Sequence, residues 1–312
     1  MGSQLADPPW TIGLTIGLWL IAMLALARAY RPLRGTTLRA AWWWAMAAVS
    51  AVAGAEVAIA VAQGGGANWA EPLRFAAVAA TFCPLVALFG ARRPQDQAWQ
   101  WIVLSFWVVL ALPAGQAWLM WPGQPLTVHA VWSWFLVVLI VAEASNYLPT
   151  RFGPAAILLA AGQTALLWRD LPWAADSSPG RWLSLAGFAL IAAAAAIAAI
   201  SGHRRRAIAP EPLDRVWRDF RDQFGVVWGL RIAERINATA AVRDWPIRLG
   251  WHGFTDKQET GTRLVLPAAR ARSAEKESRP LFLELEQALR TLLRRFVSSE
   301  WLDRRMTESP PR

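Results

Sequence analysis

Carboxylates inside apolar runs hold most of the chemistry this chain could offer. Glu56 falls within the apolar run 40–62 and Glu143 within 128–144. A charge in hydrocarbon is costly, so each carboxylate should face a partner or a water-filled cavity. Arg74, at the start of the run 73–90, is the nearest cation in prospect for Glu56. Gln116, beyond Pro113 in the run 99–120, and Gln163, beside Thr164 in the run 152–168, complete an intramembrane polar set. Two readings stay open. The set lines a polar pathway with a proton-linked carboxylate, or it forms interhelical hydrogen bonds that fix a bundle. Glu56 and Glu143 are expected at opposite depths, which argues against a carboxylate dyad. Pro84 and Pro113 are expected to kink their helices.

Other chemistry finds little support. His129, His203 and His252 are the three histidines, and they do not fall at one depth of a bundle. Two axial haem ligands would have to. Cys83 is the single cysteine, so Cys-pair metal sites and intrachain disulfides are excluded. The sequence has no Walker phosphate loop, Rossmann glycine fingerprint, zinc-protease HExxH or nucleophile elbow. No cofactor and no metal are expected, and the enzyme reading is weakened. Asn237-Ala238-Thr239 matches a glycosylation sequon but is expected to be inert on the cytoplasmic side.

The elements that would position these residues are long apolar helices. A bilayer core about 30 Å thick needs roughly 20 apolar residues in helical form. Seven stretches approach that length: 10–27, 40–62, 73–90, 99–120, 128–144, 152–168 and 182–200. The connecting loops carry arginine in alternation. Arg28, Arg31, Arg34 and Arg39 follow the first stretch, Arg92 and Arg93 the third, Arg151 the fifth, and Arg204, Arg205 and Arg206 the seventh. The opposite loops hold Arg74, Arg169 and Arg181. Positive charge is retained inside, so the N-terminus is expected outside the cell membrane and the C-terminus in the cytoplasm. Ala25-Leu26-Ala27 resembles a signal-peptidase site, but the leader has Asp7 and no basic residue, so an uncleaved span is expected.

Composition agrees with a two-part chain. Residues 1–202 carry 10 Arg, no Lys and 7 acidic residues; residues 203–312 carry 22 basic and 15 acidic residues. A net charge of +10 and a pI near 11.2 would also fit a nucleic-acid binder. The retention of basic loops explains the charge without one, and nucleic acid is not an expected partner. Sixteen of the 21 Trp lie in residues 1–202, mostly near the ends of the apolar runs, as interfacial indoles do.

The last third reads as a small α+β domain, residues 207–306, with a disordered tail at 307–312. A helix is expected over 213–241, with Leu213, Trp217, Phe220, Phe224, Trp228, Ile232 and Ile236 as its apolar stripe. Asp214, Arg215, Arg218, Asp219, Arg221 and Asp222 populate its other face, and Gly225 and Gly229 are candidate bends. Trp245, Ile247, Leu249 and Trp251 alternate with Pro246, Arg248, Gly250 and His252, a strand signal. A second strand is expected at 262–266, a charged linker at 268–279, an amphipathic helix at 280–296, and a last short helix capped by Ser298 or Ser299. Trp217, Phe220, Trp228, Trp251, Leu285 and Leu289 are the expected core. Trp245, Trp251 and Phe254 are the candidate surface for a protein partner.

The segment PLDRVWRDFRDQFGVVWGLR at 212–231, with Trp245-Pro246 and Trp251-His252-Gly253-Phe254, resembles a segment of uncharacterised bacterial multi-span membrane proteins. The resemblance implies that membrane part and tail form one functional unit; it carries no activity and no catalytic residue. The expected fold is mainly α, a seven-helix transmembrane bundle with a small cytoplasmic α+β domain. The expected function is to anchor, or sense for, that domain and its protein partner, with the lipid bilayer as the other partner. A transporter or channel using Glu56 and the polar residues of the fourth and sixth runs is the alternative.

Overall fold

The structure is a computed structural model. It describes residues 10–62, 69–120, 126–174, 181–203, 211–256 and 274–307. The chain is mainly helical and divides into two compact units. The first holds residues up to Leu33 and Leu38–His203; the second holds Arg34–Thr37 and Arg204–Arg312.

The first unit contains α1 (Trp10–Leu33), α2 (Arg39–Val61), α3 (Ala70–Ala79), α4 (Cys83–Phe89), α5 (Trp99–Leu110), α6 (Leu112–Leu119), α7 (Ala130–Tyr147), α8 (Gly153–Leu166) and α9 (Arg181–His203). Among the described residues, five helices are long and apolar enough to cross a membrane: α1, α2, the continuous run Ala70–Phe89, α7 and Arg181–Gly202 of α9. The pair α5 and α6 makes a sixth if it is one span, bent by 53°. Leu112-Pro113 opens α6, and proline cannot donate into the preceding turn. With 14 residues, α8 is only about 21 Å long, short of the hydrocarbon thickness. Among the described residues five to six helices thus meet the length and composition of a span, and the remaining one of the seven expected crossings falls on the shorter apolar helix α8. The apolar faces of α1, α5 and α7, with Leu24, Trp101 and Val131 exposed, are the surfaces a bilayer would cover.

Pro84 acts locally. It lacks the N–H that would bond Ala80, so residues Ala80–Phe82 tighten to a 3-10 turn between α3 and α4. Ala80 N–H turns to Ala77 and Val78, and the Ala76 carbonyl is taken by the Trp107 indole at 3.0 Å. The Trp99 indole likewise donates to Val86 near the end of α4, at 2.8 Å. These tryptophans bond helix to helix, besides any interfacial role. Gly162 and Gly187 let α8 and α9 meet closely, since a Cβ on Gly162 would stand 2.8 Å from the Gly187 carbonyl.

The second unit contains α10 (Pro212–Val242), β1 (Ile247–Gly250), β2 (Gly253–Asp256), α11 (Ala274–Leu293) and α12 (Ser299–Thr307). All seven residues of the expected stripe on α10 are buried. The helix breaks at Gly225, whose φ of 73° and ψ of −171° are non-helical. The hairpin is tighter than expected. β1 pairs antiparallel with β2, and Trp251 and His252 form the turn between them. The range 262–266, where the second strand is expected, lies outside the described residues. α11 begins at Ala274 rather than at Pro280. Ser298 caps α12, its Oγ accepting from Trp301 N at 3.3 Å. The tail beyond 307 also lies outside the described residues.

This unit has a component the tail alone does not supply. Thr36 bridges Val297 in antiparallel fashion, with Thr37 N donating to the Phe296 carbonyl at 2.9 Å and Ser298 N to the Gly35 carbonyl at 2.7 Å. Phe296 is also packed against Phe220, Phe224 and Trp228, with ring centroids 4.8–5.4 Å apart. Gly35 has φ +83°, and a Cβ there would meet Ser298 Oγ at 2.5 Å, so both backbone and space require glycine. The loop between α1 and α2 is therefore built into the C-terminal unit.

Candidate functional site

Three polar groupings stand out, two in the first unit and one in the second. The first lies where α3 begins and α8 ends. Glu56, 1% exposed on α2, accepts from Arg74 Nε at 2.6 Å and from Arg74 Nη2 at 3.2 Å. This forked pairing is the strong geometry for arginine and carboxylate. Arg169 is paired with Glu71. Arg74, Glu71, Arg169 and Asp170 line a partly open cavity of about 180 Å³ whose other walls include Phe75 and Trp168. Asp170 makes no hydrogen bond or ion pair through its carboxyl group among the described residues. Burial pushes its carboxyl up to about 7, Glu71 adds to the rise, and Arg169 and Arg74 oppose it.

The second grouping is inside the bundle. The Gln163 amide, fully buried on α8, donates to Glu143 Oε2 on α7 at 2.8 Å and to Thr81 Oγ1 at 3.1 Å. One side chain thus joins three segments of the unit. That is the interhelical use of a polar residue. Gln116 belongs to neither grouping; it is exposed on α6. The intramembrane residues singled out from sequence therefore separate into the pair Glu56–Arg74, the pair Glu143–Gln163, and Gln116 apart. Reasoning from sequence misses Glu71, Arg169, Asp170 and Thr81. Glu71 precedes Arg74 by one helical turn, and this spacing is the available signal.

The third grouping stabilises the second unit. Asp214, Asp219, Arg221 and Asp222 of α10 are buried rather than solvated. Asp219 Oδ2 accepts from Arg305 Nε at 2.7 Å, and that guanidinium lies 3.7 Å above the Trp301 ring. Arg221 donates to Asp222 and, at 2.6 Å, to the Trp251 carbonyl, while stacking 4.7 Å over the Trp251 ring. Asp214 Oδ1 accepts from Phe254 N at 2.9 Å. Asn237 grips β1 by both ends of its amide, donating to the Leu249 carbonyl at 3.0 Å and accepting from Leu249 N at 2.7 Å. These groups hold the hairpin and α12 against α10.

That packing corrects the expected partner surface. Trp245 is 5% exposed and Phe254 3%, so both belong to the core, and the Trp245 indole donates to the exposed Glu284 at 3.0 Å. Trp251, placed in the core from sequence, is instead half-buried under Arg221. The remaining expected core residues, Trp217, Phe220, Trp228, Leu285 and Leu289, are buried.

Among the described residues no three His, Cys, Asp or Glu side chains converge to hold a metal ion. His129 instead caps α7, its Nδ1 accepting from Val131 N at 3.3 Å. Compared with protein-family models, with curated proteins and with solved structures, the chain finds no match in any of the three.

Proposed function

We propose that this is a seven-span protein of the cell membrane that anchors, and senses for, a small cytoplasmic protein-interaction domain. The observation that carries the reading is the pairing of residues Gly35–Thr37 with Phe296–Ser298. Because the first loop is part of the C-terminal unit, that unit is tied to α1, α2 and α9 by three chain connections. A domain merely trailing from a last helix would have one.

The same pairing bears on the number of spans. The loop after the first crossing and the segment after the last must lie on one side. An even number of crossings therefore separates them. The candidates after α1 are α2, Ala70–Phe89, the bent α5 and α6, α7, α8 and α9, six in all if short α8 crosses. Six spans in total would put loop and tail on opposite sides, whereas five or seven keep them together. The arginines at 28–39 then favour the cytoplasm for that shared side.

The transport alternative needs a polar path through the bundle. Among the described residues Glu56 is held by Arg74, Gln163 by Glu143 and Thr81, and Gln116 is exposed on α6, so the three form no single polar grouping, which favours anchoring. The test is affinity purification from native membranes with the full chain and with a chain lacking residues 211–307. The reading expects a discrete set of co-purifying proteins that disappears with the domain. Identical sets, together with solute flux in vesicles that depends on Glu56, would replace it with transport.

A further inference from the structure

The cavity between α3, α8 and α9 holds two arginines, which at first points to an anion. The charge pairing points the other way. Arg74 is held in a fork by Glu56, and Arg169 is paired with Glu71. Each arginine charge is therefore already balanced by a carboxylate, and an anion would find no uncompensated cation on this wall. Asp170 is the one charged group on the cavity wall without a hydrogen-bonded or ion-paired partner among the described residues. The volume of about 180 Å³ is close to that of an engineered cavity of about 150 Å³ that accepts benzene, so the occupant has roughly six to ten heavy atoms. Phe75, Leu126, Leu166 and Trp168 supply walls for a hydrocarbon part.

We propose that this cavity binds a small organic amine as its ammonium ion, with the Asp170 carboxylate as counter-charge and the apolar wall around its hydrocarbon part. Trp168 adds an aromatic face, a favourable neighbour for an ammonium group. No bond is made or broken in the ligand. When the site is empty Asp170 retains its proton up to about pH 7, so binding below that pH releases the proton to solvent. The charged groups that bear on Asp170 are Glu71, Arg169 and Arg74. The inference goes beyond the anchoring role and does not depend on it, because binding is read on the purified chain without any partner.

The experiment uses the full chain in phosphatidylglycerol nanodiscs and titrates benzylamine by calorimetry, with benzyl alcohol and benzoate as controls of the same shape. At pH 8 benzylamine should bind and the two controls should not. Its affinity should fall about tenfold per pH unit below about pH 7, with up to one proton released per ligand when buffers of different ionisation enthalpy are compared. Asp170→Asn should lower affinity at least tenfold. If that variant folds poorly, the pH profile and proton release of the unmodified chain decide the same question. Adding phosphatidylethanolamine separates two sources of the ammonium group: competition assigns the site to a lipid headgroup, and its absence to a free amine, both consistent with a cation site. Benzoate or benzyl alcohol binding as tightly as benzylamine, no binding of benzylamine at pH 8, or unaltered binding by Asp170→Asn would overturn the proposal.

Discussion

The two units bury charge in different ways. In the bundle, charged groups are few, and the forked pair Glu56–Arg74 sits at one end, where the Arg74 side chain keeps 23% of its exposure. Deeper in, the buried Glu143 is met by the neutral amide of Gln163. In the C-terminal unit the charges enter the core itself. Asp219 and Arg305 are 10% and 7% exposed and join α10 to α12, far apart in sequence. A bundle wrapped by lipid gains little from apolar contact between its helices and uses sparse polar contacts to fix them. A domain of about a hundred residues has a limited core, so it adds buried ion pairs and ring stacking to specify one arrangement.

Loss of a core ring from the C-terminal unit should cost the most. Trp217 is fully buried and its indole donates to the Gly250 carbonyl at 3.1 Å. Trp217→Ala should cost roughly 3–5 kcal/mol and unfold the C-terminal unit while the bundle stays folded. Limited proteolysis in nanodiscs should then remove residues beyond 211 and spare the rest. Next comes the buried pair. Asp219→Ala leaves Arg305 buried without its carboxylate and should cost about 3 kcal/mol, whereas the double change to Ala and Met should recover much of it. A double-mutant cycle on thermal unfolding measures the coupling.

The pair in the bundle should matter less, because Arg74 still reaches water. Glu56→Gln or Arg74→Gln alone should cost on the order of 2 kcal/mol, and the double neutral variant less than either. Folded yield in detergent reports the order, and equal yields for all four proteins would remove any energetic role for the pairing. The smallest effect is on pH dependence. Asp170 is raised in the folded state, so the folded chain holds a proton that the unfolded chain has lost between about pH 4 and 7. That contribution is complete at low pH and is lost as pH rises through about 7. Asp170→Asn should flatten this part of the stability profile, and an unaltered slope would assign it to other groups.

The sequence made some of this legible and hid the rest for physical reasons. Apolar runs and the α10 stripe are periodic signals, and all seven stripe residues are buried. Glu56 and Arg74 can be matched because an apolar run contains few charges to choose from. On α10 the polar side cannot be sorted: periodicity marks which face is apolar, and does not say whether another element covers the polar face. Trp245 and Phe254 read as a partner surface because nothing local tells an inward aromatic from an outward one. Alternation through Trp251 overruns the true strand, since Gly250 and Gly253 close the hairpin there. Thr36 and Thr37 carry no pattern at all, and their partners lie some 260 residues away.

The pairing of the first loop with the C-terminal unit can be locked covalently. The bonds from Thr37 N to the Phe296 carbonyl and from Ser298 N to the Gly35 carbonyl flank Thr36 and Val297, making them a non-hydrogen-bonded antiparallel pair. Such pairs bring Cα atoms to about 4.5 Å, within the span of a disulfide. Thr36→Cys and Val297→Cys, placed together in a Cys83→Ala background with a protease site inserted at 175–180, should oxidise within one chain. The two fragments should then stay joined after cleavage and separate only on reduction. Fragments that separate without reductant, under conditions where each cysteine alone reacts with a maleimide after unfolding, would contradict the pairing and with it the three-point attachment of the domain.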